Sequence, residues 1–228
     1  MEKASPLDIV LASQSPRRRE LAEQAGWTVT VLPPPEAAEA DAAPREAAET
    51  LEAWVARLAR AKAEAVVSQL PANRQSIVLA CDTIGVIGTE PLGKPQDRAA
   101  AADMLAKLSG RLHRVLTGSC VWPVGQAPRL AVTESVLEMQ PLSPAFLERY
   151  LDSGLWKDKA GACGFQDGVI PLVLHAGSSS NVIGLPLETI RRQLTDCTHA
   201  AHQRAPSGSY SWFPAASFPE PAESLPAP

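Results

Sequence analysis

The chain has 228 residues, of which 45% are hydrophobic and 20% charged, the proportions of an ordinary folded protein. A chain of this length can bury a sizeable core as one domain or as two lobes of one domain. Its net charge of −4 excludes an overall basic field that would attract nucleic acid or an anionic membrane, so neither is an expected partner.

The cysteines and the N-terminal sequence indicate a cytoplasmic protein. The four cysteines lie far apart and form no CxxC pair, which argues against a zinc site or a disulfide framework and fits free thiols. The first residues, MEKASPLD, lack the apolar core of a signal peptide. No run approaches the ~18 consecutive apolar residues that cross a membrane.

In chain order, the first predicted elements are a strand and a helix that begins with three arginines. The apolar run 9–12 predicts the strand, and Ser15 with Pro16 is a typical helix start, serine as the cap and proline in the first turn. The arginines at 17–19 then fill the first turn, where the helix carries partial positive charge and each cation costs roughly 0.3–1 kcal/mol. Because an anion at this helix end would offset that cost, the sequence predicts an anion site there.

The rest of the chain alternates strands with helices, which predicts an α/β fold with a mixed or parallel sheet. Beyond Thr195 the composition becomes rich in proline, alanine and serine, which predicts a domain over 1–198 and a disordered tail over 199–228. The elements predicted between these ends are a strand over 27–32, a loop over 33–45, a helix over 46–66, a strand over 76–87, a turn over 88–95, a helix over 99–108, strands over 113–121 and 130–139, a helix over 145–152, a strand over 169–174 and a helix over 186–194.

Several charged residues lie at positions that this pattern marks as special. Asp82 interrupts the apolar run 76–87, where a carboxylate must be paired, coordinate a metal, or cap a turn at the strand end. Lys62 shares a helix face with apolar residues, so its ammonium either snorkels to solvent or points at an anion. Lys94 lies in a Gly-Lys-Pro turn, and His113 is interpreted as a buried, hydrogen-bonded core histidine in preference to a catalytic base. With the arginines, these charges predict a polyphosphate site with a metal ligand, while neither GxxxxGK[ST] nor GxGxxG occurs.

Five motifs resemble, in the same order, those of the Maf family of nucleoside triphosphate pyrophosphatases. They are LASQSPRRREL, CDTIGVIGTEPLGKP, LSGRLHRVLTG, KDKAGACGFQDG and NVIGLPL, and the resemblance covers residues 7 to 194. It implies an elongated, ITPase-like α/β fold, with a mixed central sheet flanked by helices and a cleft between two lobes. It also implies hydrolysis between the α and β phosphates to a monophosphate and pyrophosphate. A divalent metal cation (Mg²⁺, Mn²⁺ or Co²⁺) is the implied cofactor, and a homodimer the implied assembly.

Carried over by motif, the resemblance assigns roles to individual residues. Asp82 corresponds to the proton acceptor and to a metal ligand, with Glu36 the best match for a second acidic ligand and Glu39 the next. Positions that line the phosphate cleft are matched by Ser13, Arg17, Arg18, Lys62 and Lys94. Positions that separate the subfamilies are matched by Arg17, Thr83 and Gln166, which look like those of the branch acting on dTTP and UTP.

The sequence departs from the family pattern at two aromatic positions and in the tail. The family usually has tyrosine where Cys163 stands and another near Ser179, and the proline-rich tail has no counterpart. Two alternatives therefore stand beside dTTP and UTP hydrolysis: the same reaction on a modified or methylated nucleotide, and a nucleotide-binding regulator of cell division or septum formation. Asp82 favours an enzyme, because binding alone gains nothing from a carboxylate beside phosphates unless a metal is present.

Overall fold

A mixed sheet with helices packed on it forms the body of the protein. The computed structural model describes residues 8–38 and 44–204, except for the side chains of 198–204. Within these ranges seven strands form one sheet. The predicted α/β class, with a mixed central sheet flanked by helices, is confirmed.

The strands follow one another along the sheet in the order β2-β1-β3-β5-β6-β7, with β4 beside β3. The pairs β1–β2 and β1–β3 are parallel, and all other pairs in the described sheet are antiparallel. The strands are β1 (Ile9–Leu11), β2 (Val29–Val31), β3 (Ile77–Ile87), β4 (Glu90–Leu92), β5 (Arg111–Pro123), β6 (Arg129–Met139) and β7 (Leu172–Ala176). The helices are α1 (Pro16–Gln24), α2 (Leu51–Val67), α3 (Arg98–Leu108), α4 (Pro144–Ser153), α5 (Ser179–Ile183) and α6 (Leu187–Arg204), with 3₁₀ turns at Glu36–Ala38, Ala160–Ala162 and Phe165–Asp167.

Three of the differences from the predicted elements have local reasons. Helix α2 begins at Leu51 rather than at 46, because the Thr50 hydroxyl caps it by accepting from the backbone N–H of Ala53 at 3.1 Å. The predicted turn after β3 contains the short strand β4, which pairs back on β3. Strand β7 begins after Pro171 rather than at 169, since proline has no N–H for a ladder bond.

The C-terminal helix is longer than its predicted range. Helix α6 continues to Arg204, past Thr195, where the composition changes. The tail residues 205–228, like Glu39, lie outside the described residues. None of the helices in the described ranges is long and apolar enough to cross a membrane.

The apolar core is divided along the sheet. Near β1, the face under α1 and α6 buries Leu11 and Leu79, and the opposite face packs Val78 against α2. At the far end, a separate cluster packs α3 and α4 around Leu105 and Trp156. Strand β3 extends past both regions, so residues in its middle lie between the two parts of the core.

Helix α2 approaches β5 closely at Gly118. A Cβ added to Gly118 would lie 2.3 Å from the backbone oxygen of Val55 in α2, so only glycine allows this approach. The position of α2 over the sheet matters because α2 carries Lys62.

Candidate active site

The candidate site lies along the edge of β3, between β1 and β4. Strand β1 pairs with residues 77–79 of β3 and β4 with residues 85–87, so among the described residues no strand pairs with 80–84 on this edge. Asp82 and Thr83 lie in this unpaired stretch, and because side chains alternate along a strand they face opposite sides of the sheet. Asp82 faces α2, and Thr83 faces the side on which α1 and α5 lie.

Asp82 and Lys62 form a buried ion pair. Nζ of Lys62 lies 2.6 Å from Oδ1 of Asp82, and each residue is only 5% exposed. Asp82 lies in the middle of β3, so the interpretation that it caps a turn at the strand end is wrong. Snorkelling of Lys62 to solvent is also wrong, since its ammonium is held by the carboxylate. The pairing offsets the desolvation cost of two buried charges and fixes the orientation of the carboxylate.

Arg18 is anchored by three hydrogen bonds to neutral acceptors. Its Nε donates to the backbone oxygen of Gly184 at 2.8 Å, Nη1 to Ser13 Oγ at 3.3 Å, and Nη2 to Thr83 Oγ1 at 3.2 Å. A guanidinium has five N–H donors, so within the described part of the chain two remain, one on each terminal nitrogen. Arg18 can thus offer two donors to a ligand while its plane is held in place.

Ser13 rather than Ser15 supplies the side-chain oxygen at the start of α1. Ser15 is the N-cap residue with Pro16 after it, as predicted, but its side chain makes no capping hydrogen bond. The buried Ser13 Oγ instead accepts from the backbone N–H of Ser15 at 3.1 Å, as well as from Arg18. Ser13 therefore links the turn before α1 to the guanidinium of Arg18.

The other two arginines of α1 differ from Arg18. Arg19 is exposed and pairs with Glu23 one helical turn later, at 2.7 Å. Arg17 is half-buried, and its guanidinium makes no hydrogen bond or ion pair with any residue the structure describes. Of the three, only Arg19 is held in an exposed ion pair, which leaves Arg17 and Arg18 as the candidates for binding an anion at this helix end.

Three further predicted site residues lie on turns around this region and are exposed. Lys94 follows β4, Gln166 lies in the 3₁₀ turn that contacts α5, and Glu36 lies in the 3₁₀ turn that contacts α2. None of them makes a hydrogen bond or ion pair with Asp82 or Arg18. No group of three His, Cys, Asp or Glu residues that could hold a metal occurs in the described ranges.

The two positions where the family usually has tyrosine lie near these turns. Cys163 is half-buried after the turn Ala160–Ala162, and burial raises the pKa of its thiol to about 12, so it is not a thiolate at neutral pH. Ser179 is the first residue of α5 and is half-buried. Neither side chain replaces the volume of an aromatic ring.

Sequence reasoning missed three residues that hold the site together. Thr117 lies 2.9 Å from Thr83, oxygen to oxygen, and donates to the backbone oxygen of Asn181 at 3.0 Å. Gly184 has φ of +112°, and a Cβ there would lie 3.0 Å from Thr83 Oγ1 and 3.2 Å from Arg18 Nε. A threonine in a strand carries no distinctive signal, whereas Asn181 and Gly184 lie inside the motif NVIGLPL.

A comparison with known protein families matches most of the chain to one family. A family model described as "Maf-like protein" matches residues 8–197. The chain belongs to the Maf family. This match confirms the resemblance seen in the five motifs.

Three curated relatives of this Maf protein share one activity name. A dTTP/UTP pyrophosphatase of Rhodopirellula baltica is 41% identical over 192 residues, which cover 83% of this chain and 82% of the relative. Another, from Anaeromyxobacter sp., is 43% identical over 205 residues, covering 88% and 94%. A third, from Myxococcus xanthus, is 44% identical over 184 residues, covering 80% and 89%.

Solved structures offer a more distant likeness. A HAM1 protein from Coxiella burnetii aligns with a TM-score of 0.43 at 19% identity, covering 83% of this chain and 99% of that one.

Proposed function

We propose that this Maf protein hydrolyses nucleoside triphosphates, dTTP and UTP above all, between the α and β phosphates to a monophosphate and pyrophosphate. The observation that carries the proposal is the buried Asp82–Lys62 pair on β3, one residue from the Thr83 that anchors Arg18. The unpaired edge of β3 thus has a fixed carboxylate on one face and anchored cationic donors on the other, which suits an attack by water on a phosphate that lies across this edge. The names of relatives at 41–44% identity support dTTP and UTP as substrates.

In the proposed reaction, Asp82 accepts a proton from the attacking water. Lys62 keeps this carboxylate oriented through its 2.6 Å contact. The two remaining donors of Arg18, with Arg17, Lys94 and Ser13, bind phosphate oxygens and stabilise the charge that develops on the leaving pyrophosphate.

A divalent cation (Mg²⁺, Mn²⁺ or Co²⁺) is part of the proposal. A cation carried by substrate phosphates needs only one or two protein carboxylates. Asp82 offers one, and Glu36, in the turn that contacts α2, offers a second. When bound, the metal would neutralise phosphate charge and polarise the phosphoryl group.

Base selection is assigned to Arg17, Thr83 and Gln166. Gln166 is exposed, and its amide carries both a donor and an acceptor for a pyrimidine edge. The proposal also places the activity within residues 1–198 of a cytoplasmic protein that forms a homodimer. These last points rest on composition and on the family resemblance.

The decisive experiment measures pyrophosphate release by the purified protein from dTTP, UTP, CTP, ATP, GTP and 7-methyl-GTP, with Mg²⁺, Mn²⁺ or Co²⁺. We expect the highest kcat/KM for dTTP and UTP. A clear preference for the methylated nucleotide would support the modified-nucleotide alternative instead. Binding of nucleotides without any pyrophosphate release would support a regulator and contradict the proposal.

A further inference from the structure

The Thr117 hydroxyl sets the direction of a chain of hydrogen bonds that ends on Arg18. Thr117 is fully buried, and its single proton goes to the Asn181 backbone oxygen, which can only accept. In the 2.9 Å contact between the two threonine hydroxyls, Thr117 must therefore accept and Thr83 must donate. With its proton committed, Thr83 Oγ1 faces Arg18 Nη2 as an acceptor.

The Asn181 side chain supports the same direction. When its amide is oriented so that the oxygen meets donors, Oδ1 accepts from Ser135 N at 3.2 Å and from Ser135 Oγ at 2.8 Å. Nδ2 then donates to Thr117 Oγ1 at 3.2 Å and to the Thr133 backbone oxygen at 3.3 Å. Thr117 thus donates once and accepts twice, which uses the full capacity of a hydroxyl. Since Asn181 is also fully buried, this end of the chain has no freedom to reorient.

We propose that Thr117 is a positioning residue for the phosphate-binding guanidinium of Arg18. It acts through Thr83, whose hydroxyl it holds as an acceptor, and so preserves one of the three anchors of Arg18. Without Thr117 Oγ1, the Thr83 proton is free to rotate toward Arg18, where it opposes an N–H donor. The inference rests on the proposed function only in taking the ligand to be a polyphosphate.

The test uses inorganic tripolyphosphate, which carries no nucleobase and whose binding is measured without catalysis. Its affinity for the full-length protein is measured by calorimetry. Thr117→Val keeps the shape of the side chain and removes the hydroxyl. We expect it to weaken tripolyphosphate binding about 5- to 10-fold, the effect of one lost hydrogen bond. Thr117→Ser keeps the hydroxyl and should bind within about twofold of the wild type.

Two comparisons separate positioning from a general structural effect. If Thr117 acts through Thr83, then Thr117→Val adds no further loss of affinity to a Thr83→Val protein. Thr133→Val is the matched control, because its hydroxyl bonds to Thr189 at 2.9 Å and has no contact with Arg18. It should lower the melting temperature and leave tripolyphosphate affinity unchanged.

Additive losses from Thr83→Val and Thr117→Val, or wild-type affinity in either single variant, would overturn the inference. Should Thr117→Val fail to fold, Thr117→Cys replaces it, because a thiol of similar size accepts hydrogen bonds only weakly and should lose affinity in the same way. Failure of the wild type to bind tripolyphosphate also overturns it.

The outcomes distinguish this inference from the proposed function. A wild type that releases pyrophosphate from UTP while Thr117→Val binds tripolyphosphate normally refutes the inference alone. A wild type that binds tripolyphosphate through Arg18 and Thr117, but releases pyrophosphate from no nucleotide, refutes the proposed function alone.

Discussion

Three consecutive arginines at the start of α1 have three different environments. Arg18 is held by Gly184, Ser13 and Thr83, Arg19 pairs with Glu23 on the surface, and Arg17 is half-buried with no hydrogen bond or ion pair in the described ranges. Charge alone suggests that removing any of them relieves repulsion at a positive helix end. The structure reverses this expectation for Arg18, because its guanidinium ties α1 to the carbonyl that follows α5.

Replacing Arg18 by Gln should therefore both weaken ligand binding and lower the melting temperature of the empty protein. The variant loses three hydrogen bonds, each worth about 0.5–1.5 kcal/mol net. The measurement is thermal unfolding with and without α,β-imido-UTP. Arg19→Gln is the matched control and should keep the ligand-induced shift of the wild type, since it loses only an exposed pair. An unchanged shift in Arg18→Gln would show that this helix end is not the phosphate site.

Asp82→Asn should lose ~10²–10⁴ in kcat, the usual contribution of a positioned base. The variant also removes the carboxylate that pairs with the buried ammonium of Lys62, so we expect it to be less stable than the wild type. Kinetics should therefore be measured well below the melting temperature, with folding checked by circular dichroism. Near-normal turnover in the folded variant would remove Asp82 from the proposed chemistry.

Because His113 is buried, we expect the free energy of unfolding to decrease in mild acid. His113 lies in β5, and burial lowers its pKa because desolvation disfavours the imidazolium. The unfolded chain then binds a proton more readily than the folded protein. The neutral, buried His113 therefore contributes its full share of stability at a pH above about 6.5, the pKa of histidine in the unfolded chain. This contribution decreases as the pH falls from there toward the lower pKa of His113 in the folded protein.

The check is urea unfolding at pH 7.5 and pH 5.0 for the wild type and His113→Leu. The wild type should lose more of its unfolding free energy between these pH values than the variant does. Equal losses in both proteins would mean that His113 does not titrate on unfolding in this range.

At the scale of elements, the contact between α2 and β5 sets the position of Lys62. Gly118→Ala would place a Cβ 2.3 Å from the Val55 backbone oxygen, so α2 must move outward. We expect a destabilisation of about 1–3 kcal/mol, as in other overpacked cores, and a loss of turnover because Lys62 moves with the helix.

Gly125→Ala is the matched control for this substitution. Gly125 has φ of +80°, and no atom of the described residues lies within 4 Å of the place a Cβ would take, so alanine there strains the backbone without displacing a helix. It should lower the melting temperature and leave kcat unchanged. If Gly118→Ala also kept the wild-type kcat, the position of α2 would not matter for the chemistry.

The elements also show what the sequence can predict and what it cannot. The start of α1 at Pro16 and the run of β3 follow from local signals, a proline in the first turn and a buried apolar stretch. The pairing of Lys62 with Asp82 depends on how α2 lies across β3, which no local signal encodes. No local signal predicts the anchors of Arg18 either, since Gly184 is 166 positions away in the chain.

At the scale of the whole molecule, α6 determines where the domain can end. Cys197 is 1% exposed and packs in the same cluster as Ile190 and Leu194, so the helix contributes to the core beyond Thr195. We propose that ending the chain after Arg204 leaves the melting temperature and the activity almost unchanged, because residues 205–228 are rich in proline and lack apolar periodicity.

Ending the chain after Thr195 serves as the contrasting variant. It removes Cys197 and should lower the melting temperature by several degrees through lost core packing. A large loss of stability or activity in the longer variant would show that the tail packs on the body or covers the site.

The continuous ladder formed by β3, β5 and β6 has a mechanical consequence. Asp82, Thr83 and the segment paired with β4 belong to one strand. The rise of roughly 3.3 Å per residue along this strand therefore sets the distance between β1 and β4 across the unpaired stretch 80–84. If a flexible linker joined the part of the site beside β1 to the part beside β4, the two parts could move apart. Because β3 joins them, only twisting of the sheet changes their relative position. The stretch 80–84 of β3 is therefore held by its ladder to β5 before any ligand binds, and under the proposed function this strand would lose little chain entropy when a triphosphate binds beside it.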